Sequence, residues 1–293
     1  MPLNAYEGTV LGSEVVLSLY PILIKTIKTN LPTQILSRLL TFSSGGLALA
    51  SREDIVNTLG TPAAIQRTLA LGLLTVSHIY VSYLAFSSLS AGVAMSLFYT
   101  YPFWNLLGGA ALYGESVNTG TIPYLISGLV GTYIMSSTGQ EDSVGGLGEG
   151  KVSTALGVAA ALSAALTESA MYFAVKDRKS DKPWASMVEL YGGALPWLLC
   201  ALPFVKFQFS LQAWIPMILF NVIVGFIGYA LRFFSIPKVS TEIFGLLSFV
   251  GVLSSFVFGY FFVGEKPSML TLVGAICILV AVSHIESIRP SDA

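Results

Sequence analysis

The apolar positions of this chain fall into long runs separated by short polar breaks. A spanning helix needs roughly 20 mostly apolar residues to cross the hydrocarbon core of a bilayer. On that scale the pattern predicts ten helices, at about 8–27, 32–50, 67–88, 91–112, 121–138, 153–175, 184–204, 213–234, 239–260 and 268–285. The third and fourth runs are nearly continuous, as are the eighth and ninth. Either pair taken as one helix would overrun the bilayer, so a break is required in each. The connections are mostly short, which packed neighbouring helices require.

The stretch GQEDSVGGLGEGK at 139–151 is the one clearly polar, Gly-rich linker. It divides the chain into a first five-helix part at 1–138, a connection at 139–152 and a second five-helix part at 153–293. An odd number of helices per part forces the second to insert upside down relative to the first, an arrangement common among secondary transporters. The expected fold is therefore all-α and integral to the membrane, with about ten transmembrane helices forming two inverted five-helix repeats. The start, MPLNAYEGTV, lacks the marks of a signal peptide, so the first spanning helix is expected to direct insertion.

Positive charge concentrates on cytoplasmic loops. With a cytoplasmic N-terminus the inner segments hold Arg52, Arg67, Lys176, Arg178, Lys179, Lys182, Arg232, Lys238 and Arg289, against Lys25, Lys28, Lys151, Lys206 and Lys266 outside. Both termini are expected in the cytoplasm, although the sequence does not say which membrane is used.

Composition supports this picture and removes several functions. Hydrophobic residues make up 54% of the 293-residue chain and charged residues only 11%. Soluble domains carry about a quarter charged residues, so a lipid bilayer must cover much of this surface. A net charge of −1 leaves no general basic surface for nucleic acid. Cys200 and Cys277 lie in apolar runs without metal or redox spacing. The chain has no HExxH, GxSxG, Walker A or GxGxxG signature. No enzyme activity, cofactor or metal is expected, and ATP cannot drive transport from this chain.

The two parts match at an offset of 150 residues: Ser90 with Ser240, Gly114 with Gly264, Glu115 with Glu265. Each Gly-Glu follows an apolar helix, where the carboxylate is expected to cap the next helix. The segments YLAFSSLSAGVAMSLFYTYPFWNLLGGAALYGES (83–116) and YALRFFSIPKVSTEIFGLLSFVGVLSSFVFGYFFVGEKPS (229–268) resemble the EamA-like branch of the drug/metabolite transporter superfamily. Pro102 and Arg38 also fall where that family commonly has them, while Val252 stands where a proline would be expected. The resemblance implies ten helices, inverted repeats and alternating access to a central cavity. It places the fifth and tenth helices at the periphery, and a homodimer through them is a further expectation. It does not imply one substrate.

Ionisable groups inside a membrane are costly and usually face a cavity or a partner. The predicted spans contain Glu14, Arg38, Glu168, Glu189 and Glu242, with His78 near a midplane. Arg38 and Glu189 occupy nearly equivalent places in the two parts and could pair across them; the plainer alternative pairs Arg38 with Glu14. Glu14 and Glu168 open the two parts and are candidates for a coupling proton or for structural hydrogen bonds. Glu242 reads better as reaching interfacial water, and His78 as a packing residue. An organic solute needs apolar walls with a few polar fixtures, for which Tyr99, Tyr101, Trp104, Asn105, Asn221 and Tyr229 are candidates, with Tyr80, Tyr83 and Tyr191 beside them. Pro102 is expected to kink its helix.

The expected function is secondary transport of a small polar or amphipathic metabolite, an amino acid or organic cation, since carboxylates outnumber Arg38 in the spans. The candidate cavity set is Glu14, Arg38, His78, Tyr99, Trp104, Asn105, Glu168, Glu189, Asn221 and Tyr229. A nucleotide-sugar or sugar-phosphate exchanger, and a membrane scaffold without transport, are the alternatives.

Overall fold

The computed structural model describes residues 4–20, 27, 29–89, 91–116, 118–137, 154–178, 182–264 and 267–285. Among the described residues the chain is helical throughout, without strands. In the first part the α-helices are α1 (Ala5–Leu17), α2 (Leu31–Leu49), α3 (Arg52–Leu59), α4 (Pro62–Ser88), α5 (Ala91–Phe98), α6 (Tyr101–Tyr113) and α7 (Ile122–Ser137). The second part contains α8 (Thr154–Arg178), α9 (Trp184–Met187), α10 (Leu195–Ala201), α11 (Leu211–Phe220), α12 (Ile227–Ser235), α13 (Thr241–Ser248), α14 (Val250–Phe258) and α15 (Met269–Ser283). The expected linker at 139–152, and Ser90 and Glu265 of the repeat, lie outside the described residues.

Local chemistry sets the helix starts. Asn4 with Glu7, and Ser51 with Asp54, form reciprocal capping boxes at α1 and α3, satisfying backbone donors that would otherwise be orphaned. Asn30 and Thr61 cap α2 and α4, each followed by a proline in the first turn, where its missing N–H costs nothing. Gly114 and Gly264, matched at the 150-residue offset, both end their helices in the left-handed conformation, at φ of 63° and 78°. Only a residue without Cβ takes that geometry freely.

Four described helical runs are long and apolar enough to cross a membrane: Pro62–Phe86, Ala155–Arg178, Leu211–Lys238 and Thr241–Phe262. Met269–Ser283 is apolar but shorter. The other stretches read as spans are interrupted, and the interruptions differ from expectation. The polar helix α3 lies where the apolar pattern predicts none, and most of its side chains are exposed. The kink expected at Pro102 is a break one turn earlier, at Tyr99–Thr100, with Pro102 in the first turn of α6. The second part breaks at the matching Phe249 without a proline, and the two rings stack with centroids 6.5 Å apart. Wide π-helical turns interrupt the other long runs at Val188–Gly192, Asn221–Phe226 and Gly259–Val263.

Contacts across the two parts dominate the packing. Helix α1 packs on α12, α13 and α14; α4 packs along α8; α6 crosses α13; α7 packs on α15. Helix α2 lies against the π turns at 188–192 and 221–226. Glycines allow the closest crossings. A Cβ on Gly72 would stand 2.0 Å from the backbone carbonyl of Gly193, and one on Gly131 would stand 2.5 Å from the carbonyl oxygen of Gly274. Between these layers lies one main apolar core containing Phe42, Tyr101, Tyr191, Phe244 and Phe249. The α7–α15 contact within one chain already uses one face of the helices expected to form a homodimer, and their other faces, including Tyr133, Ile276 and Leu279, are exposed.

Candidate functional site

A cavity of about 90 Å³ opens between the two parts, lined by Glu14, Arg38, His78 and Tyr99 from the first and by Tyr229 and Arg232 from the second. It is well below the ~300 Å³ of ordinary ligand pockets, so its walls stand close together. A groove of about 670 Å³ near the start of α11 is lined, among the described residues, by Thr29, Gln208, Ser210 and Gln212, with no charged side chain among them. The described ionisable groups gather at the smaller cavity.

Arg232 organises one side. Its Nη1 is 3.5 Å from Glu14 Oε1 and its Nη2 is 2.9 Å from Glu168 Oε1, with all three side chains almost fully buried. The second oxygen of Glu168 is 3.1 Å from His78 Nε2. His78 Nδ1 lies 3.0 Å from Thr167 Oγ1, whose own hydroxyl donates to the Ser163 carbonyl.

Arg38 forms the other side. It is 4% exposed, and its guanidinium carbon lies 5.0 Å from the ring centre of Tyr20, 5.4 Å from Phe42, 5.8 Å from Tyr191 and 4.8 Å from Tyr229. Its Nη2 donates to Tyr191 Oη at 3.2 Å. The rings are braced: Tyr20 Oη donates to Asn221 Oδ1 at 3.2 Å, and Asn221 Nδ2 donates to Ser37 Oγ at 3.0 Å. Tyr191 and Asn221 both sit on π turns, a local widening often found at functional sites. Gly225 makes room, since a Cβ there would stand 2.4 Å from Tyr20 Oη.

Five of the ten candidate residues, Glu14, Arg38, His78, Tyr99 and Tyr229, line the cavity. Glu168 stands directly behind it through Arg232 and His78. Asn221 braces the wall rather than forming it. Trp104 points away, 41% exposed on the outer surface, and Asn105 is fully buried beyond the lining. The expected pairings of Arg38 are both replaced. Glu14 turns to Arg232, while Glu189 takes Arg67 Nε at 2.8 Å and Arg178 Nη1 at 2.5 Å. Arg67, near the start of α4, and Arg178, in the last turn of α8, both reach Glu189 and hold it there. Counting Arg232 as a loop cation is likewise corrected. It lies within the apolar run 213–234, three residues after Tyr229, and that helical spacing is the signal that marks it as inward-facing.

The expected cap by Glu115 is also corrected. Asn118 caps the turn at Thr119–Thr121, and Glu115 instead accepts from Lys176 in the second part and packs by Thr241 at the start of α13. Burial raises the Glu115 carboxyl, but the hydrogen bonds from Lys176 and Thr241 outweigh it and hold the group below its ordinary range. Glu242 reaches back the other way, accepting from the Asn118 backbone N–H at 2.7 Å. Among the described residues no group of His, Cys, Asp and Glu is arranged to hold a metal.

A buried, charge-lined cavity thus lies between two interleaved sets of apolar helices, four of which are long and apolar enough to cross a membrane. Residues 155–286 match the family model described as the EamA-like transporter family, part of the drug/metabolite transporter superfamily. That match covers somewhat under half of the chain, and the likeness suggests a membrane transporter of the drug/metabolite type. A solved structure titled only "Crystal structure of protein" is similar with a TM-score of 0.73 and 15% identity, covering 97% of this chain and 98% of that chain. At that identity the likeness establishes the fold alone. No curated protein matches the sequence.

Proposed function

We propose that this protein is a secondary transporter that moves a small polar or amphipathic metabolite, of the amino-acid or organic-cation class, by alternating access between two inverted five-helix repeats. The observation carrying this reading is the cavity at the seam, walled by both parts and crossed by the Glu14–Arg232 pair. The mutual packing of the parts supports the inverted repeat, since α4 on α8 has its counterpart in α12 on α1. The matched breaks at Tyr99 and Phe249, and the matched left-handed glycines, point the same way.

Contacts between the parts close both ends of the seam, and they differ in kind. At one end Arg67, Arg178 and Glu189 form ion pairs, joined by Lys176 with Glu115. At the other, Asn30 donates its side-chain amide to the Lys206 carbonyl at 2.6 Å and its backbone N–H to Gln208 Oε1 at 2.9 Å, and the Gln208 N–H donates to Thr33 Oγ1 at 2.8 Å, with no charged pair among the described residues there. Two separable closures are what alternating access needs.

Proton coupling is part of the proposal, resting on the buried carboxylates of Glu14 and Glu168 beside Arg232 and His78 at the seam. In liposomes, replacing the coupling carboxylate by Gln should abolish accumulation driven by a pH gradient while leaving substrate exchange, which moves no net proton. Glu14→Gln and Glu168→Gln are measured separately for both activities. Gradient-driven accumulation that persists in both single variants rejects either glutamate as the sole proton carrier. Absence of saturable uptake by wild-type protein would instead favour a scaffold. The sugar-phosphate alternative is weaker because phosphate recognition wants several converging cations, and Arg232 is already engaged by two carboxylates.

A further inference from the structure

We propose that Arg38 is the seat of a substrate carboxylate, so that the transported class is amino acids carrying a free carboxyl group rather than simple organic cations. This rests on the transport reading above and narrows it.

The argument begins with charge. Among the described residues the other charges buried around the seam have opposite partners: Glu14 and Glu168 share Arg232, and Glu189 shares Arg67 and Arg178. Arg38 is buried to 4% exposure and has no carboxylate partner there. Both carboxylates beside the cavity, Glu14 and Glu168, face Arg232, and Arg38 is left without an anion against its guanidinium.

A guanidinium offers five N–H donors in a planar fork that fits a carboxylate with two parallel bonds. Tyr191 takes one of those donors, and among the described residues Nε has no hydrogen-bond partner. The aromatic box holds the cation without neutralising it, and the Asn221–Ser37 brace fixes the box before any ligand arrives. Arg38 lines the same cavity as Glu14, which is only loosely paired at 3.5 Å and offers an anionic position for a substrate ammonium. Phe86, Met95 and Phe98 supply an apolar wall for a side chain. A lone organic cation would satisfy Glu14 but would leave Arg38 buried and unmatched, with a second positive charge beside it.

The test uses purified full-length protein and three matched probe sets: the twenty amino acids, their carboxamides and their decarboxylated amines. Uptake into liposomes and ligand-induced thermal stabilisation are read in parallel, for wild type, Arg38→Gln and Arg38→Lys. Wild type should prefer at least one free amino acid over its carboxamide and amine by about tenfold or more, the scale of a lost charge-assisted hydrogen bond. Arg38→Gln should remove that preference while leaving the carboxamide response within about threefold, and Arg38→Lys should restore part of it. Wild type that handles amines or carboxamides as well as free acids, or a preference that survives in Arg38→Gln, would overturn the proposal while leaving transport intact. Carboxylate-selective stabilisation without uptake would keep the subsite and sink the transport reading. Stabilisation and uptake absent for every probe would sink both.

Discussion

Replacing Glu189 by Gln should release one end of the seam between the two parts. The Glu189 side chain is 4% exposed and holds Arg178, 14% exposed, and Arg67, 47% exposed, while Arg178 also donates to Thr58 Oγ1 at 2.5 Å. Breaking a fully buried ion pair costs about 3–5 kcal/mol. The half-exposed Arg67 is screened by water, and such pairs are worth about 0–1 kcal/mol. Arg178 and Glu189 both belong to the second part, so the Arg67 pair is the one that spans the seam, and the loss charged to the conformation in which this end is shut is about 1 kcal/mol. That bias multiplies the population open at this end by roughly fivefold. The assay places Ser82→Cys in the cavity wall of a protein lacking Cys200 and Cys277, and follows its labelling by a membrane-impermeant maleimide added on the side of residues 177–182. Labelling should accelerate in Glu189→Gln, with the helical content and melting curve showing a folded protein. An unchanged rate in a folded variant would refute the view that these ion pairs hold the seam shut.

The remaining predictions concern stability and topology. Because its hydrogen bonds hold Glu115 below the ordinary carboxylate value of 4.5, it stabilises the fold above that pH and loses this as pH falls through its lowered native value. Melting temperatures should fall on that acid limb, and Glu115→Gln should flatten it; an identical acid limb in the variant counts against the assignment. Gly72→Ala drives a methyl into the Gly193 backbone and should cost about 1–3 kcal/mol by overpacking, whereas Gly8→Ala, with nothing within 4 Å, should leave the melting temperature unchanged. Single cysteines at 141–149 and at 177–182, again without Cys200 and Cys277, should label from opposite sides, the second set from the cytoplasm. Labelling of both from one side would overturn the inverted-repeat proposal.

Much of the helical layout was legible because the physics of the bilayer is coarse: apolar runs of the right length have few other uses. What escaped was governed by partners distant in sequence. The breaks at Tyr99 and Phe249 answer to packing across the seam, and only the first has a nearby proline to announce it. The π turns have no periodic signature, yet they carry Tyr191 and Asn221 to Arg38. Glu14, Arg38 and His78 could be picked out because an ionisable group in a span has so few innocent explanations. Their pairing could not, because the rule that flags Glu189 says nothing about whether Arg38 or Arg178 lies nearer. Trp104 shows the reverse weakness, since an aromatic ring serves a lipid-facing surface as readily as a cavity.

The interleaving of the two parts also governs how the chain is made. Glu14 belongs to α1, and its partner Arg232 follows more than two hundred residues later. At synthesis rates of about 5–20 residues per second, the carboxylate waits on the order of ten to forty seconds for its counter-charge. Helix α1 also finds its packing neighbours α12, α13 and α14 only then. Helix α1 is thus seated long after it is made. Until that moment it can slide back toward the aqueous face or be recognised by quality-control proteases. Substitutions at Arg232 will therefore reduce the amount of protein in the membrane before they reveal anything about the activity of the molecules that survive.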